Sequence, residues 1–193
     1  MNNLKKGFRL LPRLLFWALV SALFWSWIFN FLTDTDREKK ITVFAGMQVF
    51  EDRAMSAALE ENLPENIRMV QVHSFGYALM DSISLQTADL YLMTEAQARE
   101  HQDWLCPLPE EIDLPADILQ LDGEAVGIPV YSPGKDSGTA ASYLNYTEFP
   151  DDSWYLCFGQ GGYHLVNLEN GVDNAAIAVA EHLLAMKPNS SPD

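Results

Sequence analysis

A long apolar segment close to the N-terminus is the strongest constraint on what this chain can become. Over residues 14–32, only Ser21, Ser26 and Asn30 are polar. A helix rises about 1.5 Å per residue, so a helix of this length nearly matches the roughly 30 Å of hydrocarbon in a bilayer. We therefore predict a transmembrane helix over 14–32, whose partner is the lipid bilayer.

The charges on either side of this segment predict its orientation. Residues 1–13 contain four basic and no acidic side chains, whereas charges of both signs follow the segment. Lysine and arginine are retained on the cytoplasmic side of a membrane, so we expect a cytoplasmic N-terminal tail, a single pass through the cell membrane and an extracytoplasmic remainder. The alternative is a cleaved signal peptide, but the bulky stretch 24–29 offers no pair of small residues for cleavage.

The rest of the chain is strongly acidic. Residues 33–193 carry 27 acidic and eight basic side chains, a net charge of −19. Such a charge is repelled by the phosphates of nucleic acid, which we therefore do not expect as a partner. A cationic ligand, a cationic protein surface and plain solubility all remain open. Cys106 and Cys157 are compatible either with a disulfide or with buried thiols.

Strand and helix signals alternate through the first half of this acidic region. Such alternation is typical of an α/β domain with a mostly parallel sheet covered by helices. Thr94 and Gln97 have the spacing of a capping box, which predicts a helix start directly after the third strand. The predicted strands are 41–45, 67–72 and 88–93, and the helices that follow them begin near Ala54, Ser74 and Thr94.

The second half is less regular. We predict a further strand over 124–131, a hairpin of strands 154–158 and 163–166, and a last helix that Asp173 or Asn174 caps. The predicted organisation is a cytoplasmic tail (1–13), a transmembrane helix (14–32), a linker (33–40), one extracytoplasmic α/β domain (41–187) and a disordered tail (188–193).

No motif in the sequence indicates catalysis, a cofactor or a metal. The four histidines lack the close spacing of metal ligands, and there is no HExxH. The glycines of 159–162 do not follow the order of a dinucleotide-binding loop, and 132–138 matches neither a phosphate-binding loop nor a nucleophile elbow. We therefore expect a non-enzymatic protein without cofactor or metal.

Architecture rather than motif predicts where a ligand would bind. In an open parallel α/β sheet, ligands bind in the crevice outside the carboxyl ends of the strands. The alternative is that the polar residues at these ends only cap helices, as serine and threonine commonly do. The candidate ligand-binding residues are Gly46, Met47, Ser74, Phe75, Thr94, Glu95, Tyr131 and Ser132.

Three stretches resemble the first lobe of the bacterial extracellular solute-binding proteins of ABC importers, which have a type 2 periplasmic-binding-protein-like fold. In that family, a hairpin ending in Gly-Ile-Pro precedes the crossing to the second lobe, and a late helix belongs to the return. The stretches here are Lys39 to Ala45, Ala88 to Met93 and Gly123 to Val130, and the helix is 174–186.

The resemblance implies one binding-protein-like lobe, because about 40 residues between Val130 and the last helix cannot hold a second. It implies solute recognition or an accessory role at a transporter, with a small solute or an ABC-transporter permease as partner. The first alternative is a protein-interaction module that has lost its ligand site. The second is a hydrolytic enzyme, which a hydrogen-bonded nucleophile and base would indicate.

Overall fold

The computed structural model describes residues 12–13, 15–26, 28, 35–61, 63–74, 85–112, 115, 117–134 and 138–186. Contacts divide the chain into two units, Met1–Thr35 and Asp36–Asp193. The predicted disordered tail over 188–193 lies outside the described residues.

The first unit corrects the membrane prediction. Among the described residues, no helix has both the length and the apolar character needed to cross a membrane. The predicted transmembrane helix over 14–32 is therefore wrong, and so is the single-pass location in the cell membrane that depended on it. Residues 14, 27 and 29–32 of that range lie outside the described residues.

The second unit contains one sheet and three α-helices in its described part. Short 3-10 turns lie at Arg37–Lys39, Gln102–Trp104 and Tyr146–Glu148. The strands are β1 (Lys40–Ala45), β2 (Met69–Ser74), β3 (Leu90–Thr94), β4 (Leu105–Cys106), β5 (Leu119–Leu121), β6 (Glu124–Tyr131) and β7 (Trp154–Gly159), and the helices are α1 (Asp52–Leu59), α2 (Glu95–Glu100) and α3 (Ala175–Ala185).

The sheet is mixed, which corrects the prediction of a mostly parallel one. Its order is β2-β1-β3-β7-β6-β5, with β4 paired to β7 outside this path. β1 is parallel to β2 and β3, whereas every pair that involves β5, β6 or β7 is antiparallel. A parallel pair needs a crossover connection, which α1 supplies between β1 and β2. After β3, a tight turn at Asp122 and Gly123, both with positive φ, joins β5 to β6 in a hairpin. The last strand, β7, then inserts between β3 and β6.

The predicted hairpin after β7 is also wrong, because residues 163–166 form no strand. The glycines that suggested a turn allow a close approach to the start of β3 instead. A Cβ at Gly159 would collide with the carbonyl oxygen of Ala88, and one at Gly162 would lie 2.8 Å from Asp89 Oδ1. The chain beyond β7 therefore packs against residues 88–89 and leaves the sheet.

The core occupies both faces of the sheet. On one face, Val43 and Leu92 join the apolar side chains of α1 and α3. On the other face, Phe44 and Tyr91 join Ala98 of α2. β3 is buried along its whole length, and a strand buried on both faces reads as an unbroken apolar run, which is why β3 could be predicted from sequence. With both faces covered, the two edges where strands begin and end are the places open to a binding site.

Candidate functional site

The carboxyl ends of β1, β2, β3 and β6 share one edge of the sheet, because β3 and β6 both run antiparallel to β7. We call it the carboxyl edge. Thr94 and Tyr131 both pair with Trp154 across β7, and Ser74 ends β2 beside the end of β1. The structure thus places the predicted ligand-binding residues along one edge, except Phe75, which lies outside the described residues.

At the centre of the carboxyl edge, polar groups are paired with one another. The Thr94 hydroxyl accepts the Gln97 N–H at 3.2 Å, and Gln97 Oε1 accepts the Thr94 N–H at 3.0 Å, which completes the predicted capping box. Gln97 Nε2 donates to the Gly46 carbonyl oxygen at 3.4 Å. A side chain at Gly46 would collide with the Gln97 amide. Here Thr94 serves as a helix cap, and Gln97 fills the space above Gly46.

The other predicted residues take separate roles. Met47 is buried in the core, and Glu95 forms an exposed ion pair with Arg99 at 2.7 Å. Ser74 and Ser132 are half-buried. None of these contacts tests ligand binding, so the eight-residue site stays a prediction.

An aromatic cluster closes the end of this edge near Tyr131. The ring of Tyr131 stacks on Tyr146 at 4.6 Å between centroids, and Tyr146 meets Trp154 edge-on at 6.4 Å. Trp154 is fully buried, and its indole Nε1 has no hydrogen-bond partner among the described residues. The connection from β6 to β7 thus covers the carboxyl edge here with aromatic side chains.

A cleft that the sequence did not indicate lies at the opposite edge, where β7 ends beside the start of β3. Its volume is about 520 Å³. One wall is the loop that follows β4 and the other is a turn before α3. The lining residues are Cys106, Pro107, Leu108, Pro109, Glu110 and Glu111 on the first wall, and Leu165, Asn167 and Leu168 on the second.

Backbone hydrogen bonds hold the first wall to the sheet. Cys106 pairs with Phe158 of β7, and the Leu108 N–H donates to Ala125 of β6 at 2.8 Å. Pro107 and Pro109 fix φ near −65° and lack an N–H, so neither position can donate a bond to a neighbouring strand. The wall is thereby kept extended and out of the sheet, and buried Ile112 anchors its far end.

The second wall is a tight turn. The Leu168 N–H donates to Leu165 at 3.0 Å, and the Gly171 N–H donates to Leu168 at 3.0 Å. Gly171 lies so close to the Leu165 carbonyl that no side chain fits there. Leu165 is buried and Leu168 is half-buried against the core, so both give the cleft an apolar floor.

The cleft carries polar groups at its rim. Glu110, Glu111 and Asn167 are exposed. Cys106 is a free, buried thiol, and burial raises its pKa to about 11, so it is neutral and weakly nucleophilic at ordinary pH. Among the described lining residues no histidine or lysine stands beside it as a base. The arrangement is suited to binding.

A buried polar cluster fixes the chain that leads into the second wall. Asp89 Oδ2 accepts the Thr42 N–H at 2.9 Å, and Oδ1 accepts the N–H groups of Tyr163 at 2.9 Å and His164 at 3.3 Å. Burial raises the pKa of the Asp89 carboxyl above its usual value, while these bonds and nearby His164 act in the opposite direction. Asp89 thereby ties the segment after β7 to β1.

His164 extends the cluster to α3. Its Nδ1 lies 2.9 Å from Asp173 Oδ1, and its Nε2 lies 3.2 Å from the carbonyl oxygen of Arg37. Both partners are acceptors, so each ring nitrogen that carries a proton donates a hydrogen bond to its partner. Asp173 also accepts the Ala175 N–H at 2.9 Å at the start of α3. The turn that forms the second wall is therefore held at both of its ends.

The two cysteines are both free, which decides against the disulfide that the sequence left open. Cys157 is fully buried within β7, and burial raises its pKa to about 12. Sequence reasoning missed the cleft, whose only local signal is the pair of prolines around Leu108. In searches of known proteins, no family model, no curated protein and no solved structure matches this chain.

Proposed function

We propose that the Asp36–Asp193 unit binds a small solute without transforming it, in the cleft between residues 106–111 and 165–168. The observation that carries the proposal is the cleft itself. Its volume of about 520 Å³ falls within the roughly 300–1,000 Å³ typical of small-molecule sites. Its leucine side chains offer apolar contact to a ligand, and Glu110, Glu111 and Asn167 offer polar contact.

The chemistry of the lining supports binding over catalysis. A nucleophilic cysteine needs a lowered pKa or an adjacent base. Cys106 has a raised pKa, and the carboxylates at the rim are exposed to solvent, where nothing in the described lining distinguishes an acid from a base.

The resemblance to one lobe of the solute-binding proteins of ABC importers also favours this function. β6, the second strand of the β5–β6 hairpin, contains Gly127, Ile128 and Pro129, the residues that carry the resemblance. Here residues 132–153 lead directly back to β7. In this proposal one lobe holds the solute alone, and an importer permease is the protein that would receive it.

A second candidate function is protein recognition at the carboxyl edge. Phe50 is 55% exposed and Phe149 is 40% exposed. The two segments meet where the Gln48 N–H donates to Glu148 Oε2 at 2.8 Å. Exposed aromatic side chains on two adjoining segments favour an interaction surface.

A thermal-shift screen of the full chain with amino acids, sugars, amines and short peptides tests solute binding. A ligand present at about 100 times its Kd adds about 2.7 kcal/mol to the free energy of unfolding, which raises the Tm measurably. We expect at least one saturable shift, and we expect Asn167→Trp, which fills the exposed mouth of the cleft, to abolish it.

Asn170→Trp is the matched control, because Asn170 is also exposed but does not line the cleft. The ligand-induced rise in the Tm of Asn170→Trp should equal that of the natural sequence. A cooperative melt that no compound moves would reject the solute-binding function for those classes and favour recognition of a protein at Phe50 and Phe149.

A further inference from the structure

We infer that the solute bound in this cleft carries a cationic amine on an apolar body; the inference rests on the proposed function and specifies its ligand. The floor supplies three leucine side chains, Leu108, Leu165 and Leu168. The rim supplies two neighbouring carboxylates, Glu110 and Glu111, and no basic residue is among the described lining residues.

The floor selects for an apolar body. Leu165 is buried, Leu108 and Leu168 are half-buried against the core, and all three leucines line the cleft. A hydrocarbon chain or aromatic ring that covers this surface gains about 25 cal/mol for each Å² of apolar area removed from water. A fully hydrated sugar or a free inorganic ion has no apolar surface to place there.

The rim selects for positive charge. Both glutamates line the same wall of the cleft, directly after Pro109, and both are exposed. Residues 33–193 carry a net charge of −19, and their electric field adds to the field of the two glutamates and repels anions. Because the carboxylates are exposed, each contributes the modest energy of a surface pair, and the two together amount to a preference of about tenfold in Kd.

Asn167 supplies the remaining polarity on the opposite wall. Its side-chain amide can both donate and accept a hydrogen bond, so it adds no charge preference. The ligand class that fits all three features is a primary or secondary amine whose charged end lies at Glu110 and Glu111 and whose apolar end reaches Leu165.

Isothermal titration of the full chain with three probes of one shape tests the inference. The probes are 2-phenylethylamine, 2-phenylethanol and phenylacetate, which differ chiefly in charge. We expect the amine to bind about tenfold more tightly than the alcohol and the carboxylate to bind most weakly. Raising the salt concentration from 0.05 M to 0.5 M should weaken the binding of the amine and leave the affinity for the alcohol nearly unchanged.

Variants separate charge recognition from binding itself. The double change Glu110→Gln with Glu111→Gln should reduce the amine's affinity to that of the alcohol. Glu169→Gln, an exposed glutamate near the second wall but outside the lining, should preserve the preference.

Equal affinities for amine and alcohol, both abolished by Asn167→Trp, would overturn the cationic ligand and leave solute binding in place. No binding by any probe, together with a silent thermal-shift screen, would overturn both the inference and the proposed function.

Discussion

Polar groups are paired within the protein at both edges of the sheet, but the connections cover the two edges differently. At the carboxyl edge, Thr94, Gln97 and Gly46 pair with one another, and the chain between β6 and β7 covers the end near Trp154. At the opposite edge, Asp89 and His164 pair with backbone and with α3, and the loops beyond them leave a cleft. A free binding surface therefore lies where the connections stand away from the sheet.

The insertion of β7 explains this difference. In an open parallel sheet, the strand order leaves a crevice at the carboxyl ends where neighbouring connections diverge. Here β7 enters between β3 and β6 from the carboxyl edge, so its incoming connection must cross that edge. Buried Ala140, Leu144 and Tyr146 belong to this connection. The antiparallel strand thereby occupies the space that a parallel sheet leaves for a ligand.

The largest effect that we expect comes from removing His164 from the opposite edge. His164→Leu removes the hydrogen bond to Asp173 and the one to the Arg37 carbonyl, at a position where the His164 side chain is fully buried. Leaving a hydrogen-bonding group without its partner costs about 1–3 kcal/mol, and two groups lose their partner here. Urea unfolding of the variant should show a loss of this size, and a folded variant should bind any cleft ligand more weakly.

His182→Leu is the matched control, because the same replacement at a half-exposed position of α3 should change the free energy of unfolding by less than about 0.5 kcal/mol. A loss below 1 kcal/mol for His164→Leu would contradict the view that the hydrogen bonds of His164 hold this edge.

A smaller effect is expected from Gly46→Ala at the carboxyl edge. The added methyl group meets the end of the flexible Gln97 side chain, which can move away only by losing its bonds to Thr94 and Gly46. Loss of such a cap costs about 1–2 kcal/mol. Urea unfolding should show this loss for Gly46→Ala and a comparable one for Gln97→Ala.

The double variant sharpens the test. If Gly46→Ala acts by displacing Gln97, then Gly46→Ala with Gln97→Ala should cost no more than Gln97→Ala alone. Additive losses would show that the space above Gly46 is limited by something other than Gln97.

Local signals explain how much of the fold could be predicted. β1, β3 and the Thr94–Gln97 capping box depend on residues that are adjacent or three apart in sequence, and all three are confirmed. The position of β7 depends on pairing with β3, which is distant in sequence. An apolar run such as 154–158 looks the same whether its strand is parallel or antiparallel. The order of the strands in the sheet and their directions therefore could not be predicted from the apolar pattern of the sequence.

The cleft could not be predicted for the same reason. Its two walls are far apart in sequence, and each alone is an irregular loop. Only Asp89, buried and bonded to the N–H groups of Tyr163 and His164, brings the second wall back to the sheet. An aspartate directly before an apolar strand reads as an ordinary surface residue until its partners are known.

The smallest expected effect is a difference in how the two edges respond to pH. Burial lowers the pKa of His73, next to the end of β2 at the carboxyl edge, from its usual value of 6.5. As the pH falls below about 6.5, the unfolded chain binds a proton that the folded one does not, so the contribution of His73 to stability decreases. Burial raises the pKa of Asp89 at the opposite edge above 3.8, so its contribution decreases as the pH rises from about 4.

Urea unfolding between pH 4 and pH 8 separates the two responses. His73→Gln should reduce the loss of stability on the acid side of pH 6.5, whereas Asp89→Asn should destabilise the protein by an amount that shrinks as the pH rises. His73 is half-exposed, so solvent keeps its effect small. If the cost of Asp89→Asn grew with pH, the three N–H bonds to this carboxylate would outweigh its burial, and the opposite edge would be held by a fixed charge.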